Sequence, residues 1–438
     1  MHIQYNSKKI KKGDIFIAIG KGHDYVNEAI DNGASKVIVE YGNYSVPTKK
    51  VKDTRKYLIK YLKKYYYDEI KDLNIIGITG TNGKTTTAYL IYQALNLLNS
   101  KCSYIGTIGF YMDSKIKDLD NTTPDLIDLY EMLLESKKNG CKNVVMEVSS
   151  HSISLKRISA LKFDYVLFTN LTLEHLNYHK TMKKYFKAKK NLLKYLKKNG
   201  KKIVNVDDPY MKKLKRKAIT IGCSGTYKIK DYYYNDGTTF YLNDKKYKTK
   251  LLGRHNIYNV SFTIALLESM GFCNLYNIIK KLIPPSGRLE KIANNIFIDY
   301  AHTPDAVEKI INSVKEFSTG KIITVIGCGG NRDKSKRPIM AKISTTLSNY
   351  VIFTSDNPRS EEPLKIIEDM TDNLDNTNYI VEVSREEAIK KGIQMLEKND
   401  ILLVLGKGHE KYQIINDIKY PFDDAEIIRN NIRRWFQC

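Results

Sequence analysis

Read for residue types that could do chemistry together, the chain declares itself first at ITGTNGKTTT, Ile78 to Thr87, between an apolar strand and a helix. Gly80 and Gly83 let backbone N–H groups of a turn that also holds Thr81 and Asn82 approach phosphate oxygens. Lys84 supplies a charge for the outer phosphates, and Thr85 and Thr86 open the helix, where the Thr85 hydroxyl can bind magnesium. This is a nucleotide-binding turn, although Ile78 stands where GxxxxGK[ST] has its first glycine. Glu147 ends the apolar run NVVMEV; a carboxylate there can hold a divalent cation that bridges phosphates, or simply cap the strand. Asn256 and Asn259, three apart on one helical face, suit a base edge or a helix cap. In the last third, GGNRDKSKRP, SDNPRSEEP and GKGHE each follow a strand. Asn-Pro there favours a turn, and Arg332, Arg359 and Glu410 around one crevice can bind the carboxylates and ammonium of a zwitterion.

Strands and helices must carry these residues. GDIFIAI, a loop GKGHDY, a helix through Ala29 and SKVIVE form an α/β opening, followed by a helix from about Asp53 to Tyr67. The apolar strand Asn74 to Thr79 then leads into the glycine-rich turn and a helix from Thr85 to about Leu98. Buried runs NVVMEV, DYVLFTN and KKIVNV recur between helices, as in a parallel sheet covered on both faces. Tyr227 to Lys250 reads as antiparallel hairpins, and IPPSGR marks a boundary. IFIDY, KIITVIG, NYVIFTS, NYIVEV and DILLVLG repeat the alternation, predicting a doubly wound domain with ligands at the carboxyl ends of its strands. The reading is α/β in three domains, over 1–72, 73–284 and 285–438. They are a small α/β domain, a central P-loop ATPase-like parallel-sheet domain and a Rossmann-like carboxyl-terminal domain.

Composition narrows the function. At 438 residues the chain is long for one core, which agrees with about three domains. A net charge of +24 raises nucleic-acid binding, but the lysines run through every predicted element and no nucleic-acid module is visible, so solvated lysine faces are the expectation. Such a field still attracts polyanionic small substrates. The opening residues hold no apolar run, and no stretch reaches the length of a membrane span, predicting a cytoplasmic protein. Cys102, Cys141, Cys223, Cys273, Cys328 and Cys438 form no CxxC or Cys/His cluster, so reduced, mostly structural thiols are expected.

TGTNGKTTT resembles the phosphate loop of the Mur ligases and of the related folylpolyglutamate synthases, which share the departure at the first glycine. EVSSH is similar to the Mur motif whose glutamate binds magnesium. TNLTLEHLNYHKTMKKYFKAKKNLL, Thr169 to Leu193, resembles a family stretch across nearly its whole length. NTTPD, DNPR and the order of the motifs over all three domains resemble the branch acting on the muramoyl dipeptide. The folylpolyglutamate reading is disfavoured by EVSSH, NTTP and DNPR.

The resemblance implies the roles. Lys84, Glu147, His175 and Lys189 would be catalytic, and Thr85, Glu147 and a carbamylated Lys189 would be magnesium ligands. Carbamylation turns an ammonium into a carboxylate-like group; without the resemblance Lys189 is one more solvated lysine in a basic helix. ATP would be held by Gly80, Thr81, Asn82, Gly83, Lys84, Thr85 and Thr86, with Asn256 and Asn259 toward adenine. Arg288, Asp299, Tyr300 and His302 would lie toward phosphate, ribose and base, domain closure bringing Asp299 to the nucleotide. Ser7, with the loop Gly20 to His23 beside it, would contact uridine. Asn121, Thr122, Thr123, Ser149 and Arg157 would hold the muramoyl dipeptide. Arg332, Asp356, Asn357, Pro358, Arg359, Gly406 and Glu410 would hold meso-diaminopimelate, since DNPR carries an arginine that lysine-adding relatives lack. Glu174, Asn177 and His255, and Asn6 and Lys8 near Ser7, depart from the usual residues. The implied reaction is ATP-dependent, ADP-forming addition of meso-diaminopimelate to UDP-N-acetylmuramoyl-L-alanyl-D-glutamate through an acyl phosphate. The alternative is the same ligation with L-lysine. A monomer working on small molecules, without nucleic acid, is expected.

Overall fold

Alternating apolar residues build the amino-terminal sheet. Strands Ile3–Gln4, Ile15–Ile17, Lys36–Val39 and Thr48–Lys50 lie side by side in that order, all parallel. Phe16, Val37 and Val39 point to one face, against Val26 and Ala29 of helix Val26–Asp31. Ile17 and Ile38 point to the other, in a core with Leu58 and Leu62 of helix Thr54–Tyr65, as the two-residue period of a strand requires. That helix begins where the Asp53 carboxylate accepts from Lys56 N at 2.8 Å. The computed structural model describes residues 2–372 and 374–435, so Cys438 lies outside the described residues.

The chain forms two compact units. One takes in the chain up to Leu171 with His175–Val204 and Asp208–Ile219; the other takes Thr172–Glu174, Asn205–Asp207 and the chain from Thr220 onward. In the first unit, strand Asn74–Thr79 has the predicted bounds and lies between the parallel strands Phe163–Phe168 and Asn143–Glu147. Leu196–Asn205 pairs in parallel beyond the former, and Cys102–Gly106 beyond the latter. The antiparallel strands Gly109–Tyr111 and Lys115–Lys117 complete that side. The near-continuous apolar runs follow from burial on both faces, with helices Lys84–Leu97 and Leu126–Lys138 among the covering elements.

In the second unit, Tyr227–Tyr234, Thr238–Leu242 and Lys245–Thr249 form the expected antiparallel hairpins. The carboxyl-terminal sheet runs Glu290–Ala293, Ile296–Asp299, Ile401–Leu405, Ile322–Ile326, Tyr350–Phe353 and Tyr379–Val381. Its first pair is antiparallel and the rest are parallel. The carboxyl ends of three adjacent strands, Ile401–Leu405, Ile322–Ile326 and Tyr350–Phe353, carry GKGHE, GGNR and DNPR. Cys102, Cys141 and Cys328 are buried, and Cys223 and Cys273 exposed; all five are free thiols. Among the described residues no helix is long and apolar enough to cross a membrane.

Candidate active site

The glycine-rich turn leaves the central strand of the first unit and is braced by the end of its neighbour. Asn170 O accepts from Thr81 N at 2.9 Å, the Asn170 side-chain oxygen accepts from Asn82 N at 2.8 Å, and the Thr169 hydroxyl donates to Asn82 O at 2.7 Å. Gly80 is required by that contact, because a Cβ there would stand 1.8 Å from the Thr169 hydroxyl oxygen. Lys84 Nζ donates to Gly80 O at 2.9 Å and Thr81 O at 2.8 Å, so the ammonium is folded over its own turn.

Glu147 ends the strand on the other side and is fully buried. Its Oε1 accepts from the Tyr104 hydroxyl at 2.6 Å and Thr107 N at 2.8 Å; its Oε2 accepts from the Thr85 hydroxyl at 2.9 Å and the Thr107 hydroxyl at 3.2 Å. Every one of these donors is neutral. A buried carboxylate held only by neutral donors is costly unless a cation joins it. Among the described residues no cluster of three or more His, Cys, Asp or Glu could hold a metal. An ion here would need ligands besides Glu147, such as the Thr85 hydroxyl and nucleotide phosphates.

Lys189 is where the plain reading of a solvated lysine fails. It is 1% exposed, on helix Met182–Lys190, and donates to Gly80 O at 2.7 Å while lying 4.6 Å from the Tyr185 ring centre. His175 holds a left-handed backbone, φ 56°, at the start of Leu176–His179. Its ring meets those of His151 at 4.9 Å and Tyr185 at 6.0 Å. His179 stacks on Tyr185 at 5.0 Å. Burial, then His151, His175 and Lys189, push the His179 imidazole down to about 4, so it is neutral, with Nε2 2.9 Å from the Ser150 hydroxyl.

The NTTPD segment reaches the same place. The Thr123 hydroxyl donates to Glu147 O at 2.9 Å and accepts from Ser149 N at 3.1 Å, and the Thr122 hydroxyl lies 3.1 Å from that of Thr107. Arg157 donates to Thr123 O at 3.2 Å and stands 3.9 Å from Asp125; Asn121 is exposed beside them. Asp125 caps helix Leu126–Lys138 and pairs with Arg55, with Nη2 at 3.0 Å. Lys9 and Tyr5 bind Asp128 on the same helix. Ser7, buried in the turn Ser7–Lys9, is thereby tied to the helix that NTTPD begins. His23 accepts from Glu40 N at 3.0 Å through Nε2, which puts its proton on Nδ1, 2.9 Å from Gly20 O.

In the second unit Asn256 and Asn259 share one face of helix Arg254–Ser269, the Asn259 amide donating to Asn256 Oδ1 at 2.8 Å. Arg288 lies 5.0 Å from the Tyr300 ring centre, which in turn meets His302 at 4.6 Å. Asp299 accepts from Leu289 N at 2.7 Å and Ala301 N at 2.8 Å, and burial raises its carboxyl above the usual range against the pull of Arg288.

Three loops meet beyond the carboxyl ends of their strands. Asp356, Asn357 and Pro358 are buried, and Arg359 takes a left-handed φ of 54° in the expected turn. Arg359 Nη1 donates to Gly330 O at 2.9 Å, and a Cβ on Gly329 would meet both that nitrogen at 3.0 Å and Arg332 Cγ at 3.7 Å. Arg332 is exposed. A Cβ on Gly406 would stand 2.4 Å from Asp356 Oδ2. Asn357 donates to Glu410 Oε2 at 2.8 Å. The seven residues expected around the amino acid thus share one region.

Residues 78–267 match the Mur ligase middle domain, and residues 287–408 match the Mur ligase, glutamate ligase domain. The UDP-N-acetylmuramoyl-L-alanyl-D-glutamate–2,6-diaminopimelate ligase of Aquifex aeolicus is 42% identical, over 98% of this chain and 92% of that protein. The chain belongs to the Mur ligase family. The ligase of the same name from Fusobacterium nucleatum subsp. nucleatum is 40% identical over 99% of the chain and 94% of its own length. A solved structure of such a diaminopimelate ligase aligns with a TM-score of 0.72 at 31% identity, covering 99% of this chain and 95% of that one. Like the other Mur ligases, this chain is an ATP-dependent amide-bond-forming ligase.

Residue types alone did not single out Tyr104 and Thr107 around Glu147, Asn170 under the loop, the Arg55–Asp125 pair, or Lys407. Only Asn170 had a local signal, a Thr-Asn pair ending a buried strand in line with the phosphate loop. Tyr104, Thr107 and Arg55 are supplied by chain segments far from their partners in sequence, and Lys407, inside GKGHE, gave no sign that it is buried.

Proposed function

We propose that this Mur ligase adds meso-diaminopimelate to UDP-N-acetylmuramoyl-L-alanyl-D-glutamate in the cytoplasm, as a monomer, in peptidoglycan precursor synthesis. The DNPR loop carries the reading: it sets Arg359 beside Arg332, and Asn357 against Glu410. Two guanidinium groups and a carboxylate complement an amino acid with two carboxylates and two ammonium groups. The relatives at 42% and 40% identity bear the name of this activity.

In this reading residues 1–72 take the uridine end, through Ser7. Residues 73–284 take the muramoyl dipeptide, through Asn121, Thr122, Thr123, Ser149 and Arg157, and the ATP phosphates, through Gly80 to Thr86. Asn256, Asn259, Arg288 and Asp299 serve the rest of the nucleotide, and residues 285–438 take the amino acid. Lys84 swings from its own turn to the γ-phosphate as the D-glutamyl carboxylate oxygen attacks it, giving ADP and an acyl phosphate. The free amine of the amino acid then attacks the acyl carbon; the C–N bond forms, phosphate leaves with the carboxylate oxygen, and the amine loses a proton. Two magnesium ions, one at Glu147 and Thr85 and a second at a carbamylated Lys189, would neutralise phosphate charge. His175, exposed at the start of Leu176–His179, would face the acyl site, and the buried His179 lies behind it.

The test is kcat/KM for meso-diaminopimelate and L-lysine in the parent and in Arg359→Ala. With lysine bound, Arg359 faces no distal carboxylate, and an unpaired charged group costs about 1–3 kcal/mol or more, so the parent should prefer diaminopimelate roughly a hundredfold. Arg359→Ala should shrink that gap and leave ATP binding intact. Equal use of lysine by the parent overturns the substrate and leaves the ligase.

A further inference from the structure

Lys407 is a fully buried lysine that the reaction as described does not use. It follows strand Ile401–Leu405, and its Nζ donates to Asn357 Oδ1 at 3.2 Å and lies 3.5 Å from Glu410 Oε2. The rings of Tyr412 and Phe422 lie beside it, at 5.8 Å and 5.9 Å. Asn357 Oδ1 also accepts from Ile414 N at 2.9 Å. Two donors on one side of the amide require its oxygen there, so its NH₂ must face Glu410, where it donates to Oε2 at 2.8 Å. Both Asn357 and Lys407 therefore meet the same carboxylate oxygen of Glu410, and among the described residues Oε1 has no side-chain donor and is left to accept from a ligand.

The surrounding charges point the same way. Arg385, fully buried, donates to Asp424 through Nε at 2.8 Å and Nη2 at 2.6 Å. With Lys407 it makes two cations facing Asp356, Glu410 and Asp424, the acids that act on both of them. Burial lowers the Lys407 ammonium below the usual lysine range, and Asp356 and Glu410 act against that shift.

We propose that Lys407 is a positioning residue for the incoming amino acid: with Asn357 it clamps Glu410 Oε2, so that Oε1 is presented in one orientation to a substrate ammonium. The inference rests on the amino-acid site proposed above and deepens it. Lys407 touches no substrate in this arrangement and acts only through Glu410.

A double-mutant cycle tests it. KM for meso-diaminopimelate, KM for ATP and kcat are measured for the parent, Lys407→Met, Glu410→Gln and the double variant. Glu410→Gln alone should raise the amino-acid KM about tenfold or more. Lys407→Met should do likewise in the parent, with the ATP KM unchanged and kcat within about threefold. In the Glu410→Gln background Lys407→Met should add less than about twofold, because its partner is already disabled. A structural lysine would cost the same factor in both backgrounds, and that result overturns the proposal. No effect of Glu410→Gln would instead overturn the placement of the amino-acid site. Should Lys407→Met fail to fold, Lys407→Gln keeps an N–H donor for Asn357 without the charge. It should keep much of the orientation and raise the amino-acid KM less than Glu410→Gln does; an equal or larger rise contradicts the clamp.

Discussion

Glu147 and Lys189 both meet the phosphate loop, one through a buried carboxyl on the Thr85 hydroxyl and the other through a buried amine within 2.7 Å of Gly80 O. Replacing Glu147 with Gln keeps the shape and the acceptor on one atom but removes the charge that asks for a cation. The magnesium concentration for half-maximal turnover should rise by at least the roughly ten- to hundredfold that loss of a ligand-supporting group costs; an unchanged magnesium titration would remove Glu147 from the metal site. Lys189→Ala should nearly abolish ligation while nucleotide binding persists, and short carboxylates should restore part of the rate by filling the space of the carbamate. Full activity in the alanine variant would take Lys189 out of the mechanism. Residue type left Glu147 between a strand cap and a cation ligand, and the EVSSH resemblance chose the second reading. Lys189 was not legible from residue type, since nothing in KAKKNLL distinguishes a buried lysine from its exposed neighbours; only the motif around it did.

Strands and their following loops were the most readable elements, because burial on both faces leaves apolar runs that polar turns interrupt. Asn74–Thr79 has its predicted bounds, and the tyrosine-rich hairpins are antiparallel as expected. Strand order was not readable: Ile401–Leu405, last in sequence, inserts between Ile296–Asp299 and Ile322–Ile326, and that insertion brings GKGHE to DNPR. The clamp between helix Lys336–Leu347 and the DNPR loop was equally hidden. Arg337, fully buried, donates to both oxygens of Glu361 at 3.0 Å and to Asp369 at 2.7 Å. Hydrogen bonding from Arg337, then from Asn331 N, holds the Glu361 carboxyl down at about 2, below its ordinary value of 4.5. A depressed folded value means that the bond's stabilisation is complete above the ordinary carboxyl range and is lost as pH falls toward 2. The melting temperature of the parent should therefore drop more steeply between about pH 5 and pH 2 than that of Glu361→Gln. Parallel profiles would show that the clamp contributes nothing to acid stability.

Across the whole molecule, 72 lysines and arginines against 48 acids create a field that favours polyanions. Raising the salt concentration from about 50 mM to 500 mM shortens the screening length several-fold. The KM for the nucleotide-linked dipeptide should rise more than that for the zwitterionic amino acid; equal responses would mean that the charge serves no substrate. The α/β class was legible because apolar runs alternate with helices, and the motifs fall at strand ends, where α/β sheets bind ligands. Net charge says nothing of Arg337, Arg385, Lys189 and Lys407, which are buried among the described residues. The central claim is that ATP is used to activate the D-glutamyl carboxylate, and an oxygen label tests it directly. The substrate is prepared with ¹⁸O in that carboxylate, and the phosphate released during ligation is analysed by mass. Phosphate should appear only with ATP, the dipeptide nucleotide and the amino acid all present, and should carry one ¹⁸O from the carboxylate. Unlabelled phosphate, or release without the amino acid and the dipeptide, would contradict the acyl-phosphate account.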